Sequence, residues 1–127
     1  MIVRQLGMAD PLVAEEFEPP HGAWIELVAD GEPVAGGAFR RHDGDTAELT
    51  RIWTGAAHRR RGLGRRVVAE LEILAAVRGY RRIWLASRHP EARALGVATG
   101  YESVGPLALE KLLPAHNVPV QVPRSEF

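Results

Sequence analysis

The chain has 127 residues, 46% hydrophobic and 25% charged, which fits one globular domain, and its lack of cysteine excludes disulfides, thiolate nucleophiles and cysteine-ligated metals. No apolar run approaches the roughly 18 residues of a membrane span, and the N-terminal residues lack the apolar core of a signal peptide, so we expect a soluble cytoplasmic protein without membrane partners. The net charge is zero, yet residues 1–48 hold ten acidic and three basic residues, whereas residues 49–93 hold eleven basic and three acidic ones, which favours an anionic ligand near the middle of the chain.

The first half of the chain predicts mainly β-strands. IVRQL is a candidate first strand, and ADPLVAEEF predicts two helical turns with Asp10 as the N-cap. AWIELVAD and EPVAGGAFRR predict two strands joined at Asp30-Gly31, which is a hairpin signal. AELTRIWT predicts a further strand after a turn. The pair Gly36-Gly37 indicates a bulge or the close approach of another segment.

The second half alternates helices and strands. Between Gly62 and Arg78 the apolar residues recur at the spacing of one helix face: Leu63, Val67, Leu71, Leu74 and Ala75. Gly79 is placed to end this helix in the left-handed conformation. RRIWLAS predicts a strand buried on both faces, HPEARALGVATG a second helix, YESVG a strand and NVPVQV a last strand. This order predicts an α/β (α+β) fold with helices packed on a mixed sheet.

The segment HRRRGLGRR, residues 58–66, joins a strand to the start of a helix, and we call it the arginine–glycine corner. The first amides of a helix have no intrahelical acceptor, and the helix dipole adds about half a positive charge there. Gly62 and Gly64 lack side chains, so a phosphate can approach the backbone closely. The corner therefore predicts a pyrophosphate site.

Three phosphate-binding motifs can be compared with this corner. A P-loop requires a lysine and then a serine or threonine directly after its last glycine, and no lysine follows Gly64 here. A dinucleotide fingerprint requires a third glycine where Val67 stands, and no acidic residue closes the next strand. The remaining pattern is Arg-x-x-Gly-x-Gly, which Arg59, Gly62 and Gly64 satisfy.

The corner and its surroundings resemble the acetyl-CoA-binding core of the GNAT superfamily of N-acetyltransferases. The resemblance rests on AELTRIWTGAAHRRRGLGRRVVAELEILAAVRGYRRIWLAS, where a strand with a glutamate precedes the Arg-x-x-Gly-x-Gly loop, a long helix and a strand. PPHGAWIELVADGEPVAGGAFR and PEARALGVATGYESVG are similar to the segments around that core. The resemblance implies a mostly antiparallel GNAT-like sheet, a single domain over residues 1–127, and acetyl transfer from acetyl-CoA to a primary amine of a small molecule or protein.

The same resemblance implies which residues bind acetyl-CoA. The backbones of Ile52 and Thr54, with Trp53 between them, would pair with the pantetheine arm as if it were an extra strand. The pyrophosphate would be held by amides and positive charges of the corner: Arg59, Arg60, Arg61, Gly62, Leu63, Gly64 and Arg65. The alternative for these arginines is a solvated helix start.

Glu48 is the candidate catalytic base, because it matches the strand glutamate of the family. A primary amine is mostly protonated at neutral pH and must lose a proton before it attacks the thioester, while a strand amide near Ile52 could hold the developing oxyanion. On a regular strand Glu48, Thr50, Ile52 and Thr54 would share one face, unless a bulge breaks the alternation. The alternative is that Glu48 only pairs with Arg51 or with an arginine of a neighbouring strand.

The sequence departs from the family at Gly96, where a tyrosine often protonates the leaving thiolate, whereas Tyr101 matches a later core aromatic. A domain that binds CoA with little turnover is therefore the alternative function. Nucleic-acid binding is not expected, because exposed aromatic residues do not interleave with the arginines and the overall charge is not basic. Compared with the family, most of the usual N-terminal helices and much of the usual ending are shortened or altered in this sequence, and an exposed sheet edge in such a reduced domain favours a homodimer.

The histidines and tryptophans suggest no additional site. The five histidines show no metal-ligand spacing, so no metal is predicted. His89, at the end of a core strand, is interpreted as a loop residue, and contact with the substrate is the alternative. Trp24, Trp53 and Trp84 all lie in predicted strands, and we predict that they belong to the core rather than to a stacking platform.

Overall fold

The computed structural model describes residues 1–5, 21–87 and 89–114. Its elements in chain order are β1 (Ile2–Gln5), β2 (Gly22–Ala29), β3 (Glu32–Arg41), β4 (Thr46–Thr54), α1 (Leu63–Val77), β5 (Arg82–Ala86), α2 (Pro90–Ala98), β6 (Glu102–Gly105) and β7 (Ala108–Leu112). The predicted elements that fall on these residues are confirmed. The helix predicted from ADPLVAEEF and the strand predicted from NVPVQV lie outside the described residues.

The strands form one seven-stranded sheet in the order β1-β2-β3-β4-β5-β7-β6. Every neighbouring pair is antiparallel except β4 and β5, which are parallel and are connected through α1. The prediction of a mixed, mostly antiparallel sheet with helices is therefore confirmed. Asp30 and Gly31 both have positive φ angles, of 51° and 80°, as the predicted two-residue turn between β2 and β3 requires.

Both helices pack on the same face of the sheet. A Cβ atom on Gly37 would lie 2.9 Å from Val67 of α1, so α1 covers the face to which Gly37 and Phe39 of β3 belong. Phe39 pairs with Leu49, and Leu49 pairs with Leu85, so these side chains share that face. A Cβ atom on Gly96 of α2 would in turn meet Leu85. We call this the helix face, and the other, on which no described helix packs, the open face.

The core lies between the helices and the sheet. All the residues predicted for the buried side of α1 are buried except Leu74, which is partly buried, and Val68 joins them. The helix ends as predicted, because Gly79 has a φ of 93° and the amide of Tyr80 donates to the carbonyl of Ala75 at 3.0 Å. Within the described residues, neither helix has the length and apolar character needed to cross a membrane.

Two predictions about this fold are wrong, and one strand was not predicted. The strand β5 is not buried on both faces: Arg82 and Trp84 on the open face are only partly buried, because both described helices cover the other face. None of the three tryptophans is in the buried core for the same reason, and Trp53 is 36% exposed. The strand β7 was not predicted, because its sequence ALEKL contains good helix formers and becomes a strand only by pairing between β5 and β6.

Candidate functional site

Strand β4 pairs with β5 only over the first part of its length. Their parallel register ends at the pair Leu49 and Leu85, whereas β4 remains paired with β3 as far as Thr54. Strand β5 continues with β7 to Ala86. Beyond Leu49, the β4 edge that faces β5 has no strand partner among the described residues. We call the resulting gap the cleft and the last pair, Leu49 and Leu85, its apex.

The backbone of β4 directs hydrogen-bonding groups into this cleft. The amide of Gly55 donates to the carbonyl of Val34 in β3 at 2.8 Å, so Gly55 faces β3. Because residues alternate along an extended strand, Trp53 also faces β3, and Ile52 and Thr54 direct their N–H and C=O groups to the opposite side. These two residues therefore have the backbone orientation that the sequence predicted for them.

A β-bulge at Arg51 separates the side chains of β4 into two sets. Arg51 and Ile52 together oppose Gly37, and Arg51 has a φ of 56°, in the left-handed region. The side chain of Ile52 consequently turns to the helix face, 3.1 Å from a Cβ atom built on Gly37. The bulge that the sequence left open as the alternative is therefore present, and Ile52 and Thr54 do not share the face of Glu48 and Thr50.

The indole of Trp53 lies on the open face, over a neighbouring glycine. Gly36 is the register partner of Trp53, and a Cβ atom on Gly36 would lie 2.6 Å from Trp53 Nε1. The predicted close approach at Gly36-Gly37 is therefore confirmed on both faces, with Trp53 against Gly36 and α1 against Gly37.

The arginine–glycine corner places unpartnered amides at the start of α1. Gly62 is the N-cap, with a φ of 75° and no side-chain cap. Among the described residues, the amides of Leu63, Gly64 and Arg65 donate to no carbonyl, whereas that of Arg66 donates to Gly62 at 3.1 Å. A Cβ atom on Gly62 would meet nothing within 4 Å, so the space beside this N-cap residue is open.

Positive charge at the corner is not neutralised by neighbouring acids of the described chain. Arg66 forms an ion pair with Glu70 at 2.7 Å, one helical turn further on. The other guanidinium groups are on exposed residues, without an ion pair to any described residue: Arg59, Arg60, Arg61 and Arg65. The first turn of α1 also contains no acidic residue. The corner therefore combines unpartnered amides with positive charge that no described acid neutralises, which are the two features that an anion site requires.

Glu48 lies next to the apex of the cleft, on the open face. It pairs with Trp84 one step before the last β4–β5 pair. Its Oε1 accepts a hydrogen bond from Arg40 Nε of β3 at 3.2 Å, and its side chain is 16% exposed. No described residue donates to Oε2. The ion pair with a neighbouring-strand arginine, which the sequence left as the alternative, is therefore present, and one carboxylate oxygen remains available.

The aromatic residue after α2 is not directed into the cleft. The hydroxyl of Tyr101 donates to Glu72 Oε2 of α1 at 2.8 Å, and Tyr101 is buried. Burial raises the pKa of Tyr101 far above its usual range, and the negative charge of Glu72 and their hydrogen bond raise it further. Tyr101 is therefore a core residue, as predicted, and a poor proton donor.

Position 96 cannot hold a side chain without repacking the core. A Cβ atom on Gly96 would lie 2.6 Å from Leu109 Cδ1 and 3.1 Å from Leu85 Cδ2. Leu109 is fully buried, so it has little space in which to move. A tyrosine at this position would be directed into the core between α2 and the sheet.

We therefore expect Gly96→Ala to lower the free energy of unfolding by about 1 kcal/mol, because overpacking of this contact costs about 1–3 kcal/mol and the higher helix propensity of alanine offsets about 1 kcal/mol of that cost. Urea unfolding measures the change. Gly105→Ala is the matched control, since a Cβ atom there would meet nothing within 4 Å. Equal stability of the two variants would show that the α2–sheet contact is loose at this point.

The end of β5 carries side chains for which the sequence gave no motif. The amide of Ser87 donates to the carbonyl of Leu107 at 3.0 Å, and the amide of His89 donates to Ser87 Oγ at 3.0 Å. Together with Ala86 and Leu107, these two residues line an open depression beyond the apex. Only the pairing of β7 with β5 brings Leu107 to this place, so the depression has no local sequence signal.

The comparisons with known proteins agree with this architecture. The family model described as "Acetyltransferase (GNAT) family" matches residues 4–101. No curated protein matches the sequence. Hundreds of solved chains match its structure, and those compared below are all under 25% identical, so each shows the fold alone.

Three of these structures illustrate the likeness. A protein from Klebsiella pneumoniae assigned as an acyl-CoA N-acyltransferase is 21% identical, with a TM-score of 0.76 over 89% of this chain and 97% of that one. An aminoglycoside 6'-N-acetyltransferase in complex with coenzyme A is 16% identical, with a TM-score of 0.77 over 90% and 98%. An aminoglycoside 6'-acetyltransferase type Ii is 24% identical, with a TM-score of 0.69 over 79% and 74%. With a family model that covers most of its length and this shared fold, the chain belongs to the acetyltransferase (GNAT) family.

Proposed function

We propose that the protein is a cytoplasmic N-acetyltransferase of a single domain, which transfers the acetyl group of acetyl-CoA to a primary amine. The observation that carries this proposal is the edge of β4 that no described strand covers, which leads from the apex of the cleft to the open amides of the arginine–glycine corner. A pantetheine arm is an extended chain of amides that can pair with such an edge, and a pyrophosphate requires an anion site at its end.

In this proposal the donor occupies the cleft along β4. Ile52 and Thr54 pair through their backbones with the pantetheine amides, and the amides of residues 62–65 bind the pyrophosphate. Arg59, Arg60, Arg61 and Arg65 add positive charge, since none of them is paired with an acid of the described chain. The thioester then lies near the apex, where the backbone amide of Ile52 can stabilise the oxyanion.

Glu48 is the proposed general base for the amine. It lies beside the apex, and its Oε2 accepts no hydrogen bond from a described residue. Arg40 holds Oε1, which fixes the orientation of the carboxylate. An amine that approaches from the open face can therefore transfer its proton to Oε2, directly or through water, as it attacks the thioester.

A screen of acceptor amines tests this function. The purified protein is incubated with acetyl-CoA and a panel that contains a polyamine, an aminoglycoside and a lysine-containing peptide, and release of thiol is measured together with the mass of each acceptor. We expect at least one acceptor to gain one acetyl group.

A second candidate function is a domain that binds CoA with little turnover. It is favoured by Gly96, because core side chains fill the space where the family often has an acid. Tight acetyl-CoA binding without acetylation of any amine in the panel would favour this candidate over the enzyme.

A further inference from the structure

The leaving thiolate of CoA requires a proton, and α2 does not supply a donor from position 96. The end of β5 is the other wall of the cleft. Ala86 is the first residue of β5 beyond the apex, and the hydrogen bond from Ser87 N to Leu107 O keeps the following chain beside β7. The depression lined by Ala86, Ser87, His89 and Leu107 therefore borders the apex from the β5 side.

His89 is anchored in this depression by its backbone, and its imidazole is not used for that purpose. Its amide donates to Ser87 Oγ at 3.0 Å, and its carbonyl accepts from the amide of Arg93 at 3.1 Å. The residue is exposed, and its ring nitrogens bond to no described residue. The main chain thus fixes the position of a ring that remains available to a ligand.

Of the described side chains that line the depression, the imidazole of His89 is of the type that most often serves as a general acid in enzymes. The hydroxyl of Ser87 is a much weaker acid and already accepts a hydrogen bond. Ala86 and Leu107 carry no charge. The nearest charged residues along α2 are Glu91 and Arg93.

We propose that His89 is a further catalytic residue, the general acid that protonates the CoA thiolate. This proposal rests on the proposed acetyl transfer. Glu48 and His89 would then act from opposite walls of the cleft. The register pairs Glu48 with Trp84, so Ala86 lies about 7 Å further along the strand direction. Ala86 belongs to the depression that His89 lines, so the proposed acid lies beyond the proposed base along the cleft.

The proposed transfer consists of an addition of the amine and then a loss of the thiolate. The amine nitrogen forms a bond to the carbonyl carbon, and Glu48 takes a proton from that nitrogen. The carbon–sulfur bond then breaks, its electron pair goes to sulfur, and protonated His89 gives a proton to the thiolate. The products are an amide and the free thiol of CoA, and the two side chains exchange protons with water before the next cycle.

Titration of the bound CoA thiol tests this inference without an acceptor. Thiolate absorbance is followed against pH for CoA bound to the parent, to His89→Ala and to His21→Ala. An imidazole N–H that donates a hydrogen bond to the sulfur stabilises the thiolate even when the ring carries no charge, so we expect the pKa of the bound thiol to be about one unit lower in the parent than in His89→Ala. His21→Ala is the control, because His21 precedes β2 at the opposite end of the sheet and should behave as the parent does.

Turnover gives the second measurement. With the best acceptor of the amine panel, His89→Ala should lower kcat about fivefold with unchanged acetyl-CoA affinity, a small effect for acid catalysis because a thiolate leaves readily. Added imidazole should restore part of that rate. An unchanged thiol pKa in His89→Ala would overturn the role of His89 and leave the proposed function intact, whereas absence of CoA binding to the parent would overturn both.

Discussion

Glu48→Gln is expected to lower the rate of acetylation at neutral pH by about 100-fold, at the low end of what general base catalysis contributes. The amide has the shape of the carboxylate and can still accept the hydrogen bond from Arg40, so fold and acetyl-CoA affinity should be retained. The variant should recover part of its rate at higher pH, because more of the amine is then deprotonated without help from the protein. Steady-state rates across the pH range measure both effects.

Glu26→Gln is the matched control for this variant. Glu26 of β2 forms the same kind of cross-strand ion pair, with Arg4 of β1, on the same open face. It is two strands away from β4, so its substitution should change neither kcat nor the pH profile. If Glu48→Gln acetylated a genuine acceptor as fast as the parent at every pH, Glu48 would be only a partner for Arg40.

Gly62→Asp is expected to weaken acetyl-CoA binding at least tenfold, which corresponds to about 1.4 kcal/mol. The substitution places a carboxylate beside the open amides of α1, where the pyrophosphate is proposed to bind. A Cβ atom at Gly62 would meet nothing within 4 Å, so the packing of the corner should be unchanged. Calorimetry of the two proteins gives the ratio of their affinities.

Gly62→Asn separates charge from backbone strain in this test. The φ of 75° at Gly62 is tolerated by asparagine and aspartate better than by other side chains, and the two have nearly the same shape. Gly62→Asn should therefore lose much less affinity than Gly62→Asp. Equal losses of acetyl-CoA affinity in the two variants would show that the added side chain, and not its charge, weakens binding. A Gly62→Asp variant that binds acetyl-CoA as tightly as the parent would exclude the corner as the phosphate site. Gly64→Asp is a less specific probe, because a Cβ atom there would lie 3.3 Å from Leu95 of α2.

Elements with strong local signals were predicted well. The long helix has its start at Gly62, its apolar stripe and its left-handed end at Gly79 within one stretch of sequence, so no distant contact is needed to identify it. The turn at Asp30-Gly31 is equally local. The corner belongs to this group, because the Arg-x-x-Gly-x-Gly spacing itself places glycines and amides at a helix start.

Features that depend on contacts between distant segments were not predictable in the same way. The bulge at Arg51 depends on the pairing of β4 with β3, in which Gly37 opposes two residues of β4. It gives Arg51, which is not a glycine, a left-handed backbone conformation. The open face of β5 depends on where the helices pack. The core contact of Gly96 depends on Leu109, in a strand whose sequence has helical propensity.

The cleft itself combines both kinds of information. The sequence predicted that Ile52 and Thr54 would present their backbones to a ligand, through the resemblance of the surrounding motif. That β4 loses its neighbour immediately after Leu49 follows only from the register of two parallel strands. The position of Glu48 beside the apex follows from the same register, whereas His89 is placed at the end of β5 by hydrogen bonds that involve Ser87.

A calorimetric titration of acetyl-CoA into the parent protein tests the central claim most directly, since every proposed step begins with the donor bound along β4 and at the arginine–glycine corner. We expect one molecule to bind per chain, with an affinity that falls as salt is added, because the arginines of the corner are exposed and their attraction to phosphate is screened. Absence of binding by the folded protein at low salt would contradict the claim.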